Sequence, residues 1–354
     1  MDHQEITVFQ AKNSDHKIWD DFVLNRSDAS PYHLFAWKLA IEASYGHPCY
    51  YLSAEKKGEL VGILPLVHIH FFNIVNELTA LPYCDVGNCI CDADEVQDAL
   101  LTEALSVQKS LNCKKLNIRG PLRETQLQSD GFIRERTGKV RMLLSLPPSS
   151  DELFSSFKSK LRSQVRKAVK NGVSFRWAGL TDLDTIYSVF SKNMHTLGSP
   201  VHSKTWLETI LIHYKNRVKV GLVEFDGKAV GMGIILLGGQ SVSIPWASTL
   251  REFNRLGPNM LLYWNFLKFS ADNGYKIFDF GRSTEKEGTY RFKKQWGAQP
   301  VPLLWYSQKN NKCQKGDSVQ ASSNLRSTVE ATWRKIPFPV ANFIGPRLRK
   351  YTSL

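Results

Sequence analysis

The chain has 354 residues, 42% of them hydrophobic and 22% charged, so it is long enough for two domains and its composition excludes disorder over most of its length. Its 46 Lys and Arg exceed its 33 Asp and Glu, and the net charge of +13 predicts an anionic partner. Nucleic acid, a phosphorylated substrate and an acidic membrane face all meet that description.

The sequence contains neither a run of 18 apolar residues nor a basic start followed by an apolar stretch, so we expect no membrane span and no signal peptide. Six cysteines in a chain of this length favour a reducing cytoplasm over a disulfide framework. Cys84, Cys89 and Cys91 lack the Cys-x-x-Cys spacing of zinc sites, and His68 and His70 fit an exposed strand face. We therefore expect no metal site.

A weak internal repeat organises the chain. Residues 51–68 and 220–237 each predict a β-hairpin, with Gly58 and Gly227 in the turns, at an offset of 169 residues. Residues 100–120 and 261–281, offset by 161, each predict an amphipathic helix followed by a strand that ends in glycine. The shared order predicts a tandem duplication of a mixed α/β unit, with a central sheet and helices on its faces.

The boundary between the two copies is expected at residues 146–152. The Pro-Pro pair there ends a strand, and the Ser-Ser-Asp-Glu sequence that follows favours a helix start. The predicted units are an N-terminal domain, a C-terminal domain that carries the main motifs, and a basic linker and tail: residues 1–148, 149–308 and 309–354.

Basic residues concentrate in two segments. Residues 158–176 contain seven Lys or Arg and no acid, and residues 309–354 contain nine basic and two acidic residues. The first segment predicts a helix with an apolar stripe and with Arg162 and Arg166 on its polar face. Phosphate binding and an ordinary solvated helix face are both open interpretations of that face.

The densest motifs lie between residues 245 and 297. Gly257 and Pro258 predict a helix start beside Asn259, directly after a strand that contains Trp246, and the free amides of a helix N-terminus bind anions. The next strand ends at Gly281, which places Arg282 and Ser283 at its carboxyl end, where α/β sheets bind ligands.

Cations and aromatic residues alternate from residue 290 to residue 296. Aromatic faces stack on a base or sugar while cationic groups hold phosphate, so this loop predicts a ligand site. A strand with an aromatic core face and a basic solvent face is the alternative. The candidate residues are Tyr290, Arg291, Phe292, Lys293, Lys294 and Trp296.

Four segments together resemble the FemAB-like proteins, most closely the branch associated with exosortase (PEP-CTERM) and exopolysaccharide systems. They are GSPVHSK at 198–204, ASTLREFNRLGPNMLLYW at 247–264, FDFGRST at 278–284 and GTYRFKKQWG at 288–297. The resemblance implies an α/β (α+β) fold of two tandem GNAT-like domains, each with a mixed, mainly antiparallel sheet flanked by helices. It also implies transfer of an acyl or aminoacyl group to an amine.

The resemblance carries expectations about substrates. Better-known relatives move an aminoacyl group from charged tRNA to a cell-wall precursor linked to UDP or lipid, and their Phe-Lys pair falls on Phe292 and Lys293. This chain has no room for the long helical arm associated with tRNA handling, and Pro258 interrupts the nearest counterpart of the GNAT pyrophosphate loop. The expected donor is therefore acyl-CoA or aminoacyl-tRNA, with no permanently bound cofactor. The expected acceptor is a phosphorylated or lipid-linked precursor of peptidoglycan or exopolysaccharide.

Roles for the candidate residues follow from that chemistry. We expect Lys293 to stabilise a donor phosphate or the oxyanion, Arg282 and Arg291 to hold phosphate, and the aromatic residues to stack. Asp279 is the candidate general base, and a buried structural carboxylate is its alternative role. The competing hypothesis for the whole chain is a non-catalytic module that binds RNA or an anionic polysaccharide.

The tail has two parts. Residues 311–328 predict a linker, and residues 331–353 mix apolar and basic side chains. The second part fits peripheral contact with the inner face of the plasma membrane, or docking on the protein's own surface. We expect a cytoplasmic protein in either case.

Overall fold

The computed structural model describes residues 6–72, 74–135, 137–308 and 328–353. The first half contains β1 (Thr7–Gln10), α1 (His16–Leu24), α2 (Phe35–Tyr45), β2 (Cys49–Lys56), β3 (Glu59–Phe71), β4 (Val75–Ala80), β5 (Ile90–Cys91), α3 (Asp94–Ser110), β6 (Lys115–Arg119), α4 (Gln126–Gly131), β7 (Phe132–Glu135) and β8 (Lys139–Ser145).

The second half contains α5 (Ser150–Ser156), α6 (Ser159–Lys170), β9 (Ser174–Ala178), α7 (Leu183–Leu197), α8 (Lys204–Tyr214), β10 (Val218–Phe225), β11 (Lys228–Leu237), β12 (Ser241–Thr249), α9 (Pro258–Asp272), β13 (Ile277–Thr284), α10 (Gly288–Gln295), β14 (Gln299–Pro302) and β15 (Trp305–Gln308). A helical stretch at 328–335 and α11 (Phe338–Arg349) follow. Within these described residues, no helix is both long and apolar enough to cross a bilayer.

Two sheets share one strand order. The first runs β1-β2-β3-β4-β6-β15-β7, with β5 paired to β3, and the second runs β9-β10-β11-β12-β13-β8-β14. In both, antiparallel strands are followed by a single parallel pair, β4 with β6 and β12 with β13. The predicted hairpins are β2–β3 and β10–β11, with Gly58 and Gly227 at positive φ in the turns. The prediction of two mixed, mainly antiparallel units is confirmed.

The sheets exchange a strand. β8 precedes the expected boundary at residue 148 but pairs with β13 and β14 in the second sheet. β15 lies within the predicted C-terminal domain, residues 149–308, but pairs with β6 and β7 in the first sheet. The boundary itself stays a prediction, and each sheet takes its sixth strand from the other half of the chain.

The halves also share a hydrophobic core. One core cluster joins side chains of α1 and α2 to those of α7 and α8, between the two sheets. In it, Trp246 of β12 stacks parallel to Trp37, with 6.3 Å between ring centroids, and meets Trp206 edge-on. Trp246, a candidate substrate-binding residue, therefore lies in the core that joins the two halves. Separate clusters lie beneath α3 in the first sheet and beneath α9 in the second.

The described part of the tail docks on both halves. His195 Nε2 donates to the Ile336 carbonyl at 2.8 Å, so the beginning of the tail lies on α7. Near the other end, His47 Nε2 donates to the Lys350 carbonyl at 2.8 Å and Arg119 to the Ser353 carbonyl at 3.0 Å. These contacts confirm the docking interpretation. The predicted linker at 311–328 lies, except for its last residue, outside the described residues.

Candidate active site

The second sheet opens at its parallel pair. β12 and β13 pair only from Ser241 to Ser243 and from Ile277 to Asp279. Beyond these residues β12 stays paired with β11 and β13 stays paired with β8, so β12 and β13 diverge. A cavity of about 710 Å³ lies where they part, beside Ala247 and Thr249 at the end of β12. The carboxyl ends of the strands thus border a ligand-sized space.

Five segments complete this cavity. Three of the predicted residues line it: Asn259 at the start of α9, and Phe292 and Lys293 on α10. The remaining lining residues come from α7, the turn before α9, α9 and α10 themselves, and the tail: Asn193, Thr196, Leu197, Arg251, Asn254, Tyr263, Gly288, Thr289 and Arg334.

The start of α9 is built as the sequence predicts. Gly257 adopts φ +85° as the N-cap, and Pro258 is the first helical residue. Pro258 has no N–H, and the Met260 N–H donates to the Gly257 carbonyl at 3.0 Å. The anion site at this helix terminus therefore has fewer free backbone N–H donors than an ordinary one. Its first donor is the Asn259 amide.

Residues 288–295 form the helix α10, so the expectations of a loop and of an alternating strand are both wrong. The segment has one β-branched residue, Thr289, and its aromatic residues Phe292 and Trp296 fall four positions apart, on one helical face. That face packs on α9, where the Phe292 ring meets Tyr263 edge-on at 5.0 Å.

Lys293 is the central group of the cavity. Its side chain is only 8% exposed, and Nζ donates to the carbonyls of Gly281 at 3.1 Å and Arg282 at 2.7 Å. Burial lowers the pKa of this amine to about 8, against the opposing charges of Asp279 and Asp85. Lys293 is thus held by two backbone carbonyls and loses its proton at about pH 8.

Asp279 has a structural environment. It is 3% exposed; Oδ2 accepts from Arg141 Nε at 2.7 Å and Oδ1 accepts from the Gly281 N–H at 2.8 Å. Both carboxylate oxygens have partners, and Asp279 does not line the cavity. Of the two roles left open by the sequence, the geometry favours the structural one, in which Asp279 fixes the backbone that holds Lys293.

The first half supplies a residue that the sequence analysis missed. Asp85, in the loop after β4, accepts the Arg282 N–H at 3.1 Å and lies 3.4 Å from Arg282 Nε. Because the Arg282 carbonyl binds Lys293, Asp85 positions the catalytic candidate from the opposite half of the molecule. The sequence signal that could have indicated Asp85 is its position, two residues before Gly87, in a loop that follows a strand.

The other predicted residues lie outside this cavity. Ser283 is buried, Tyr290 carries the Lys294 ammonium 5.5 Å above its ring, and Arg291 Nε donates to the Lys286 carbonyl. Lys294 and Trp296 line a second groove of about 810 Å³ together with α5, α6 and the end of β8. On α6, Arg162 is half-buried and Arg166 lies over the Phe154 ring.

The comparison with protein families matches residues 155–294 to the acetyltransferase (GNAT) domain. The matched segment lies in the second half of the chain. The cavity described above lies within it, apart from the contribution of Arg334. No curated protein matches the sequence.

Solved structures extend the likeness to both halves. FemX has a TM-score of 0.68 and 16% identity, with 92% of this chain and 100% of that chain covered. The C-terminal domain of a protein assigned as a lysylphosphatidylglycerol synthetase from Agrobacterium fabrum has a TM-score of 0.58 and 11% identity, with 90% and 95% covered. A tandem GNAT protein from the clavulanic acid biosynthesis pathway has a TM-score of 0.56 and 11% identity, with 87% and 99% covered. The chain therefore has a tandem GNAT fold, as predicted.

Proposed function

We propose that this protein is an N-acyltransferase that moves an acyl or aminoacyl group from an activated donor to an amine. The observation that carries the proposal is the buried Lys293, which lines the cavity between the diverging strands of a GNAT domain. A lysine with a lowered pKa in a ligand-sized cavity is a group adapted to chemistry rather than to stability.

The reaction needs three bond changes. The amine nitrogen attacks the acyl carbon, the bond from that carbon to the donor's sulfur or oxygen breaks, and the proton lost by the amine is matched by one gained by the leaving group. Lys293 has three N–H donors, two of which bind backbone carbonyls. The third serves the developing oxyanion or the leaving group, where a fixed charge lowers the barrier most.

Phosphate recognition is assigned to the rim of the cavity. Arg251, Arg334 and the Asn259 amide provide donors there. Acyl-CoA and aminoacyl-tRNA both present phosphate, so both remain candidate donors. Fold likeness to FemX and the resemblance to the FemAB-like proteins support an amine on a phosphorylated or lipid-linked cell-envelope precursor as acceptor, in peptidoglycan or exopolysaccharide assembly.

The test offers acyl-CoA and charged tRNA separately to the purified chain with amine acceptors, and measures the acceptor's mass gain. Lys293→Ala is expected to lower the rate at least about a hundredfold. Lys228→Ala, which removes the same charge from an exposed hairpin position, is the matched control and keeps the wild-type rate. Transfer by Lys293→Ala at the wild-type rate would refute the role of this lysine.

One observation favours the second candidate, a non-catalytic module for RNA or an anionic polysaccharide. Within the described ranges, no ion pair joins an acid to the cations of α6 and its N-cap: Lys158, Lys160, Arg162, Arg166, Lys167 and Lys170. Such a module would bind its polymer with an affinity that falls steeply with salt, and would transfer nothing from either donor.

A further inference from the structure

Exposed apolar side chains gather where the tail meets the first sheet. Phe72 and Ile74, in the turn between β3 and β4, are 73% and 74% exposed, and Phe343 and Leu348 on α11 are 62% and 47% exposed. We call these four residues the apolar patch. They are large hydrophobic groups that the fold leaves in water, and such a cluster marks an interaction surface.

Ring contacts join the two parts of the patch. The Phe71 ring lies 4.9 Å from Phe72 and 4.4 Å from Tyr351, which follows α11 directly. The Tyr351 N–H donates to the Leu348 carbonyl, so Leu348 lies one turn from this junction. Phe343 is a further five residues along α11, about 7.5 Å along the helix axis and about 140° around it. The Phe71–Tyr351 contact thus joins the turn to the end of α11, and Phe343 extends the exposed apolar groups along the helix.

The patch has a cationic border. The Arg347 guanidinium lies 3.7 Å from the centre of the Phe343 ring, and Lys350 Nζ lies 4.7 Å from that of Tyr351. Residues 331–353 contain no acid. An interfacial membrane contact has two components: apolar groups that enter the lipid headgroup region, and cations beside them.

The surface is held in place before any partner arrives. α11 is fixed to α7 by the hydrogen bond from Tyr187 Oη to Asn342 at 3.1 Å. The end of the tail is fixed to the first half, where the Tyr83 N–H donates to the Ser353 carbonyl at 2.7 Å. A preformed surface loses less conformational entropy on binding than a free arm does.

We propose that the apolar patch docks the protein on an anionic lipid bilayer. Arg347 and Lys350 face lipid phosphates while the four apolar side chains enter the headgroup region. A second copy of the chain is a poorer occupant, because four side chains bury far less than the roughly 800 Å² per partner of a stable interface.

The test is cosedimentation of the full chain with phosphatidylcholine vesicles, with and without phosphatidylglycerol. We expect binding to the anionic vesicles alone. Phe72→Ser combined with Phe343→Ser should weaken the binding at least about tenfold. The matched control combines Ile133→Ser and Ile212→Ser, which remove exposed apolar groups from β7 and α8 and should leave binding unchanged.

Three results would overturn the proposal. They are no binding of the wild type to anionic vesicles, equal binding to neutral ones, and equal loss of binding in the patch variant and the control variant. Analytical ultracentrifugation adds a fourth: a wild-type dimer that the patch variant abolishes would assign the surface to a second copy instead. Both double variants are compared by circular dichroism, so a loss of binding is attributed to the patch only where the fold is intact.

Discussion

The buried amine of Lys293 predicts an unusual dependence of stability on pH. Burial lowers its pKa from 10.5 to about 8 in the folded protein, whereas the unfolded chain keeps the ordinary value. Between these two pH values the unfolded state binds more protons, so the free energy of unfolding rises with pH. At about 1.4 kcal/mol per pH unit, the rise due to Lys293 is about 3 kcal/mol. The contribution is complete above pH 10.5 and lost as the pH falls through about 8.

Urea unfolding of the wild type and of Lys293→Met, from below pH 8 to pH 10.5, measures this rise. Methionine has a similar length and no charge. The hydrogen bonds that the variant lacks, to the Gly281 and Arg282 carbonyls, change its stability by an amount independent of pH. Titration of all other groups is common to both proteins, so the wild type should gain about 3 kcal/mol on the variant across this range.

The reasoning would be refuted if the difference in free energy of unfolding between the wild type and Lys293→Met did not change with pH. Lys293 would then have the same pKa in the folded and the unfolded protein. Lys228→Met provides the reference for an exposed lysine, and its difference from the wild type should not change with pH. The result bears on the proposed function, since that proposal rests on the buried position of Lys293 in the cavity.

Three further predictions concern the same site and its support. As the pH rises through about 8, kcat/KM for transfer should fall because Lys293 loses its proton. The pH–rate profile of Lys293→Arg should lack this decline, and an unchanged decline in that variant would point to another group. Asp85→Asn removes a charge that raises the pKa of Lys293, so the decline in kcat/KM should move to lower pH. The same variant should lower kcat/KM about tenfold to a hundredfold. Asp92→Asn, at an exposed position, should change neither the pH of the decline nor kcat/KM. A fragment of residues 149–308 lacks β8 and should show no cooperative transition in calorimetry, while one that starts at residue 137 should regain it; equal behaviour of the two fragments would contradict the importance of the exchanged strand.

The sequence predicts those parts of the fold that depend on local patterns. The hairpins at Gly58 and Gly227 and the start of α9 at Pro258 are written in turn residues and in helix-start residues. The strand exchange is different, because β8 and β15 are short segments whose partners lie more than a hundred residues away. Neither segment carries a local pattern that specifies which sheet it joins.

For the site, the local motif around α10 draws attention to Phe292 and Lys293, and both of these residues line the cavity. Asp85 and Arg141 escape sequence reasoning because they act through contacts that cross from the first half. Trp246 is a different case: an aromatic residue beside a predicted site gives the same sequence signal whether it contacts a ligand or fills a core, and in the structure it lies in the core.

The exchanged strands also bear on how the protein is made. The chain emerges from the ribosome with its N-terminus first. The first sheet therefore lacks the strand between β6 and β7 until Trp305–Gln308 have emerged. β6 and β7 therefore have unpaired edges through about half of synthesis, and such edges are prone to aggregate. We expect the yield of folded protein to depend on chaperones that shield the nascent first half.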